Sequence, residues 1–290
     1  MAEAKEFRVI VATDGSNNAR EAVTTAGYFP WPAATRVRVV VARRTPSEYR
    51  RSILLTALHR GAEIAADDAR RVLSRRWPGL DVVIVDKAPV TAVLGEAERF
   101  SADVIVVGWR GHGAVRRALM GSVSRGIVRS ATCAVLVVRR TQRVRRIVVG
   151  LDQAPNASRT LALVERLVPP ARGRVTLATA VTLTTVPSRR VALAAGELAR
   201  EVKRTNARLA RKASKELNRA AARLKRRGWD TRTALTTGEP LNDLLGTVKA
   251  ARAQLLVVGA KGTSRVRHLL LGSVADGALN SSPVPVLVAR

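Results

Sequence analysis

Cysteine and aromatic residues are scarce in this chain of 290 residues. The one cysteine, Cys133, excludes a disulfide within the chain, and this indicates a reducing compartment. Phenylalanine, tryptophan and tyrosine together make up 3% of the residues, whereas apolar residues make up 47%. The core must therefore be built from valine, leucine, isoleucine and alanine, a composition that favours parallel strands covered by helices.

Long apolar runs are missing as well. No stretch of the sequence approaches the roughly 20 apolar residues that a membrane-spanning helix needs. The opening MAEAKEFRVIVATDGS contains acidic side chains and no apolar core of a signal peptide, so no signal peptide is expected. We therefore expect a cytoplasmic protein.

Acidic residues are outnumbered by basic ones. The chain contains 22 Asp and Glu against 51 Lys and Arg, which gives a formal net charge of +29. A field of this sign attracts polyanions and anionic ligands. Two interpretations stay open, namely a surface that only keeps the protein in solution and non-specific adhesion to nucleic acid or another acidic surface.

The most informative feature that is present is a glycine motif that occurs twice. VIVVGWRGHGAVRRALMGS ends at residue 122, and LLVVGAKGTSRVRHLLLGS ends at residue 273. In each copy an apolar β-branched run ends in Gly, a second Gly follows three residues later, and a Gly-Ser pair precedes a helical pattern. The positions are Gly108, Gly111, Gly121 and Ser122 in the first copy and Gly259, Gly262, Gly272 and Ser273 in the second.

A buried parallel strand that leads into a glycine loop and a helix start is a geometry that binds phosphate. Glycine permits positive φ and lets backbone N–H groups approach an anion. Ser122 and Ser273 are each able to cap the helix or to turn a hydroxyl toward a phosphate oxygen. In the alternative interpretation, the glycines serve only tight turns and helix-to-strand packing.

Strands and helices alternate along the chain, and their order repeats. FRVIVA, Asp14 and a helix that begins at Ser16 open the first half, while RIVVG and Asp152 open the second. The alternation predicts an α/β fold of two tandem doubly wound domains, each with a five-stranded parallel sheet. We place the domains at residues 1–143 and 144–290.

Asp14 and Asp152 each follow the first strand of a half. Ligands of doubly wound sheets bind beyond the carboxyl ends of the strands, where the strand order reverses. If the first and fourth strands are neighbours, the acid and the glycine loop face one crevice that suits a nucleotide, with its ribose at the carboxylate and its phosphates at the loop. Alternatively, Asp14 is a helix cap or a turn residue.

Residues 189–227 form a helical segment that is strongly basic, with 14 Lys and Arg against three acidic residues. Its apolar stripe, which includes Ala213, Leu217 and Leu224, follows helical spacing. The basic face is either a solvated surface or a docking surface for nucleic acid or an acidic partner. No aromatic residue is interleaved with it, which argues against sequence-specific recognition of single strands.

The opening VIVATDGS, the glycine motif and the closing CAVLVVRR and VPVLVAR resemble the universal stress protein family in its tandem two-domain form. The resemblance covers nearly the whole chain. It implies an adenine-nucleotide-binding α/β fold whose halves pair through their last strands, and it leaves a homodimer of the tandem chain open.

The resemblance also implies roles for particular residues. In ATP-binding members the acid after strand one holds the ribose, the residue that ends strand two meets the adenine through its backbone, and the glycines with the following Ser hold the phosphates. These roles map to Asp14 and Asp152, to Ala42 and Ala180, and to the two glycine motifs. The implied cofactor is ATP, with or without Mg²⁺. Trp109 replaces a small residue of the family pattern, and we expect it to narrow the first pocket.

No catalytic constellation is evident. His59, His112 and His268 lack metal-ligand spacing among themselves. Phosphoryl transfer needs an acid that holds a metal and a residue that positions the nucleophile, and the sequence offers only Asp14 or Asp152. The candidate charge neutralisers are Arg110, Arg116, Lys261 and Arg265.

We therefore expect a nucleotide-binding stress or regulatory protein with slow ATP hydrolysis at most. The alternative is a basic interaction protein that docks nucleic acid or an acidic partner through residues 189–227, with nucleotide binding incidental.

Overall fold

The computed structural model describes residues 6–43, 53–111, 120–152, 157–181, 196–260 and 271–290. Strands and helices alternate along both halves. The first half contains β1 (Phe7–Thr13), α1 (Asn17–Tyr28), β2 (Thr35–Ala42), α2 (Ile53–Leu73), β3 (Asp81–Val85), α3 (Pro89–Arg99), β4 (Val104–Gly108), α4 (Ser122–Ser130) and β5 (Ala134–Val138). The second half contains β6 (Arg146–Gly150), α5 (Ala157–Arg166), β7 (Arg174–Ala180), α6 (Gly196–Arg226), β8 (Asp230–Thr236), α7 (Pro240–Ala250), β9 (Leu255–Gly259), α8 (Ser273–Ser281) and β10 (Val286–Ala289).

The strands form one ten-stranded sheet in the order β3-β2-β1-β4-β5-β10-β9-β6-β7-β8. Every pair within a half is parallel, so the predicted α/β class with five parallel strands in each half is confirmed. β5 and β10 pair antiparallel, with Leu136 opposite Leu287. This pair joins the halves through their last strands, as the resemblance implies.

The core lies on both faces of the sheet, because successive side chains of a strand point to opposite sides. Val9 and Val11 pack with α1, α2, α5 and α6 on one face. Ile10 packs with α3, α4, α7 and α8 on the other face. β4 and β5 are buried along their whole length, so the valine-rich and leucine-rich runs of the sequence occupy the centre of the sheet.

Helix α6 is 31 residues long, against 21 residues for α2, the helix at the same place in the first half. Ala213, Leu217 and Leu224 are buried against the sheet, which confirms the predicted apolar stripe at these positions. Residues 189–195 of the predicted helical segment lie outside the described residues. In the described part of the chain, no helix is both long and apolar enough to cross a membrane.

Candidate nucleotide site

The first and fourth strands are neighbours in both halves. Val9 of β1 pairs with Val104 of β4, and Ile147 of β6 pairs with Leu255 of β9. The chain leaves these two strands toward opposite faces of the sheet, which opens a crevice at their carboxyl ends. The predicted crevice requires the first and fourth strands to be neighbours, and this is confirmed in both halves.

Asp14 and Gly111 lie against each other in the first half. A Cβ placed on Gly111 would overlap Oδ2 of Asp14, so glycine is needed for the carboxylate to stand where it does. Oδ1 of Asp14 accepts the N–H of Ser16 at 3.0 Å, and Ser16 caps α1 by accepting the N–H of Ala19 at 3.3 Å. Asp14 is thus a turn residue and also borders the glycine loop, while the cap is Ser16.

Gly108 has a packing role. A Cβ at this position would lie 2.7 Å from the carbonyl carbon and oxygen of Asn18, closer than any side chain tolerates. The glycine lets the first turn of α1 rest on the end of β4. For this residue, helix-to-strand packing accounts for the glycine without any ligand.

The glycine of each Gly-Ser pair closes its loop by a backbone hydrogen bond. The N–H of Gly121 donates to the carbonyl of Trp109 at 3.0 Å, and the N–H of Gly272 donates to the carbonyl of Ala260 at 2.8 Å. Gly121 and Gly272 are also the N-cap residues of α4 and α8. Their own amides are therefore engaged within the protein.

Ser122 and Ser273 are the first residues of α4 and α8 rather than their caps. Of the two roles left open by the sequence, the helix-cap role is therefore wrong, because glycine occupies the cap. Glycine, the N-cap residue of both helices, makes no side-chain hydrogen bond to their first turns. The first turn of a helix leaves N–H groups without intrahelical acceptors, and its dipole favours an anion there.

A cavity of about 310 Å³ occupies the second crevice. It brings five of the predicted residues together at the carboxyl edge of the sheet. These are Asp152, Ala180, Gly259, Gly272 and Ser273. Gly262, together with Lys261 and Arg265, lies outside the described residues, as do His112, Arg116 and His268.

Asp243 is a cavity residue that the sequence analysis did not single out. It lies in the first turn of α7, lines the cavity, and accepts the N–H of Gly238 at 2.8 Å through Oδ2. Counting from the proline that opens each third helix, Ala92 occupies the matching position in the first half. The sequence feature that could have identified Asp243 is an acidic residue in the first turn of a helix beside the strand ends. This acidic residue distinguishes the second crevice from the first.

Ala42 ends β2 and pairs with Val85, so it takes the same place in the first half that Ala180, opposite Thr236, takes in the second. His59 lies on α2. Among the described residues, no three side chains of His, Cys, Asp or Glu are grouped so as to hold a metal ion.

Trp109 does not narrow the first crevice, contrary to the sequence-based expectation. Its indole is buried, and Nε1 donates to the carbonyl of Leu279 in the second half at 3.0 Å. The guanidinium of Arg139 lies 3.7 Å from its ring centroid. The antiparallel β5–β10 pair places the end of α8 beside this loop, and the indole is buried there instead of over the crevice.

The fold and its crevices define the class of this protein: two doubly wound α/β halves, each with a glycine loop at its switch point. The family model described as "Universal stress protein family" matches residues 7–139 and again residues 143–290. The chain therefore belongs to the universal stress protein family, and the family's domain occurs in it twice.

Relatives and solved structures agree with this assignment. Universal stress protein Rv2005c of Mycobacterium tuberculosis is 27% identical over 317 residues, and the match covers 99% of this chain and 98% of that protein. The crystal structure of a universal stress protein from Archaeoglobus fulgidus superposes with a TM-score of 0.69 at 17% identity over 99% of both chains. A universal stress protein structure from Pseudomonas aeruginosa gives a TM-score of 0.54 at 14% identity over 98% of this chain and 93% of that one. At these identities the two structures support the fold alone.

Proposed function

We propose that this protein binds an adenine nucleotide, ATP in the first instance, and acts as a cytoplasmic stress or regulatory factor with slow or no ATP hydrolysis. The observation that carries the proposal is the cavity of the second half. Its volume of about 310 Å³ falls within the range of about 300–1,000 Å³ that is usual for small-molecule sites. Its lining combines the carboxylates of Asp152 and Asp243, strand ends and the start of a helix.

The cavity lining offers a suitable group to each part of a nucleotide: the ribose, the base and the phosphates. Asp152 offers carboxylate oxygens to ribose hydroxyls, and the backbone at Ala180 offers hydrogen bonds to a base. The phosphates would lie at the N-terminus of α8, where the first-turn amides and the Ser273 hydroxyl donate. The amide of Gly272 has no part in this, since it is engaged with Ala260.

The first crevice has the same frame, with Asp14 beside Gly111 and α4 beginning at Ser122. The proposal includes this crevice as a second, non-identical nucleotide site. Mg²⁺, where it takes part, would be held by phosphate oxygens, with one carboxylate from the protein.

Isothermal titration of the full chain with ATP in the presence and absence of Mg²⁺ tests the proposal. Heat of binding at micromolar to millimolar nucleotide is expected. Asp152→Asn should weaken binding to the second site and Asp14→Asn binding to the first, so the stoichiometry or one of two binding steps changes in each. Asp67→Asn, which changes an exposed acid on α2, is the matched control. If wild-type protein produces no heat, the proposed nucleotide function is wrong.

A further inference from the structure

The outer face of α6 carries a continuous stripe of basic side chains. The basic stripe consists of Arg204, Arg208, Arg211, Lys215, Arg219 and Arg226, and each is exposed. Their spacings of three, four and seven residues keep them on one side of a helix. From Arg204 to Arg226 the stripe extends about 33 Å at about 1.5 Å per residue.

The stripe is opposite the face that holds the helix to the sheet. Leu217 and Leu224 are at most 2% exposed and belong to the core. No member of the stripe forms an ion pair within the described part of the chain, whereas Arg223, which flanks it, is paired with Glu165. The three acidic residues of α6, Glu197, Glu201 and Glu216, are too few to neutralise its basic residues.

The middle of the stripe forms a shallow groove with neutral hydrogen-bond donors. Ser214 and Asn218 line it together with Arg211, Lys215 and Arg219. Arginine and lysine, with serine and asparagine beside them, are the side chains that contact phosphates and sugars of a nucleic-acid backbone. Successive charges from Arg204 to Arg219 lie about 4.5–6 Å apart along the helix, and Arg226 follows after about 10.5 Å, so several phosphates are within reach at once.

We propose that the basic stripe of α6 is a docking surface for double-stranded nucleic acid, which it contacts through the phosphate backbone without reading sequence. The length of the stripe matches about one turn of duplex, about 34 Å. Helix α6 contains no aromatic residue, so it offers neither the stacking platform of a single-strand reader nor the aromatic anchors that dominate protein–protein interfaces. Charge complementarity is therefore the remaining basis on which the stripe would recognise a partner. A nucleic-acid duplex offers the densest array of negative charges.

The test is fluorescence anisotropy of a labelled DNA duplex of about 20 base pairs, titrated with the full chain at about 50 to 200 mM salt and without nucleotide. Wild-type protein is expected to bind two duplexes of unrelated sequence equally, with an affinity that falls steeply with salt. The test variant combines Arg204→Gln, Arg208→Gln, Arg211→Gln and Lys215→Gln. The matched control combines Arg60→Gln, Arg75→Gln, Lys87→Gln and Lys249→Gln, which removes the same charge from exposed sites outside α6.

The stripe variant should bind at least about 30-fold more weakly at low salt, and its slope of log K against log salt should fall by about 3.6, at about 0.9 for each lost phosphate contact. The control should stay within about threefold of wild type with its slope unchanged. Glutamine favours helix and the positions are exposed, so the unfolding curve should be unchanged.

Three outcomes would overturn the proposal. Wild-type protein fails to bind either duplex at low salt, or the two variants lose affinity equally, which would assign binding to net charge. The third is that polyglutamate displaces the duplex as well as unlabelled duplex does at equal charge, which would assign the stripe to an acidic protein partner. The titration contains no ATP, so its result is separate from that of the nucleotide test.

Discussion

Nε1 of Trp109 lies 3.0 Å from the carbonyl oxygen of Leu279 and donates a hydrogen bond to it. Trp109 belongs to the glycine loop of the first half, whereas Leu279 belongs to the last turns of α8 in the second half. The N-terminus of the same helix borders the cavity of the second crevice. A loop at one candidate site is thereby fixed to the helix that forms part of the other.

Trp109→Phe should destabilise the protein more than Trp229→Phe does. Both indoles are buried, but Nε1 of Trp229 has no hydrogen-bond partner in the described part of the chain. Each substitution removes similar volume, and only Trp109→Phe also removes a hydrogen bond. We expect the free energies of unfolding, measured in urea, to differ by about 1 kcal/mol. Equal losses would show that the bond to Leu279 contributes nothing.

Arg139 of the first half and Arg290 of the second half each donate hydrogen bonds to the end of a helix in the other half. Arg139, which follows β5, donates to the carbonyls of Leu279 and Asn280 at the end of α8. Arg290, which follows β10, donates to the carbonyls of Val128 and Arg129 near the end of α4.

Burial lowers the pKa of both guanidinium groups, and the charge of neighbouring Arg110 lowers that of Arg139 further. A cation is well placed at the C-terminus of a helix, and arginine stays protonated at any usable pH.

Replacing either arginine with alanine should loosen the junction between the halves. We expect Arg139→Ala and Arg290→Ala each to lower the free energy of unfolding by about 1–3 kcal/mol. Arg60→Ala, on the exposed face of α2, should change it by less than about 0.5 kcal/mol. Hydrogen exchange should accelerate first in β5 and β10. Unchanged protection there would mean that the strand pair alone holds the junction.

Most of the fold could be predicted from the sequence, because the conformations that short sequence patterns favour are the ones that the packed structure adopts. Thr35–Ala42 and Arg174–Ala180 are rich in β-branched residues, and the strands have these bounds. Pro89 predicted the start of α3, because proline suits the first turn of a helix. The repeated order of elements then fixed which strands were equivalent in the two halves.

The details of the candidate site depended on contacts that no local pattern reveals. The direction of Trp109 depends on the antiparallel β5–β10 pair, which brings residues far apart in sequence together. The engagement of the Gly121 and Gly272 amides depends on how each loop closes on itself. A serine next to a glycine at a helix start looks like a cap in sequence, and only the backbone shows that the glycine is the cap and that the helix already begins at the serine.

Cys133 should be a slow nucleophile in the folded protein. Burial raises the pKa of its thiol from 9.0 to about 11, so at pH 8 the thiolate fraction is about 100-fold smaller than in the unfolded chain. A thiol reagent that reports by absorbance should react with the native protein at least this much more slowly than with protein in urea. Equal rates would show that the thiol is exposed.

The same raised pKa predicts how stability changes in alkaline solution. The folded chain keeps the proton of Cys133 between pH 9 and about 11 while the unfolded chain loses it, so the stability contribution is complete below pH 9 and is lost as pH rises through about 11. Wild-type protein should therefore lose stability more steeply over this interval than Cys133→Ala, in parallel urea titrations. Parallel curves would contradict the assignment to this thiol.

Three glycine-to-alanine substitutions should separate the roles that glycine plays in this chain. At Gly61 on α2 a Cβ meets nothing within 4 Å, so Gly61→Ala should raise the free energy of unfolding by about 1 kcal/mol through helix propensity alone. At Gly108 the added methyl would meet the backbone of Asn18 at 2.7 Å, which should cost about 1–3 kcal/mol. At Gly111 the obstacle is the carboxylate of Asp14, a side chain that is exposed and able to move.

Gly111→Ala should therefore keep nearly wild-type stability while it displaces the carboxylate from the first crevice. Thermal unfolding measures the first effect, and titration with ATP measures the second, with Gly61→Ala as the control for both. If Gly111→Ala lowers stability as much as Gly108→Ala, this glycine serves packing as Gly108 does. If it leaves both stability and nucleotide binding unchanged, the position of Asp14 beside the loop has no part in holding the ligand.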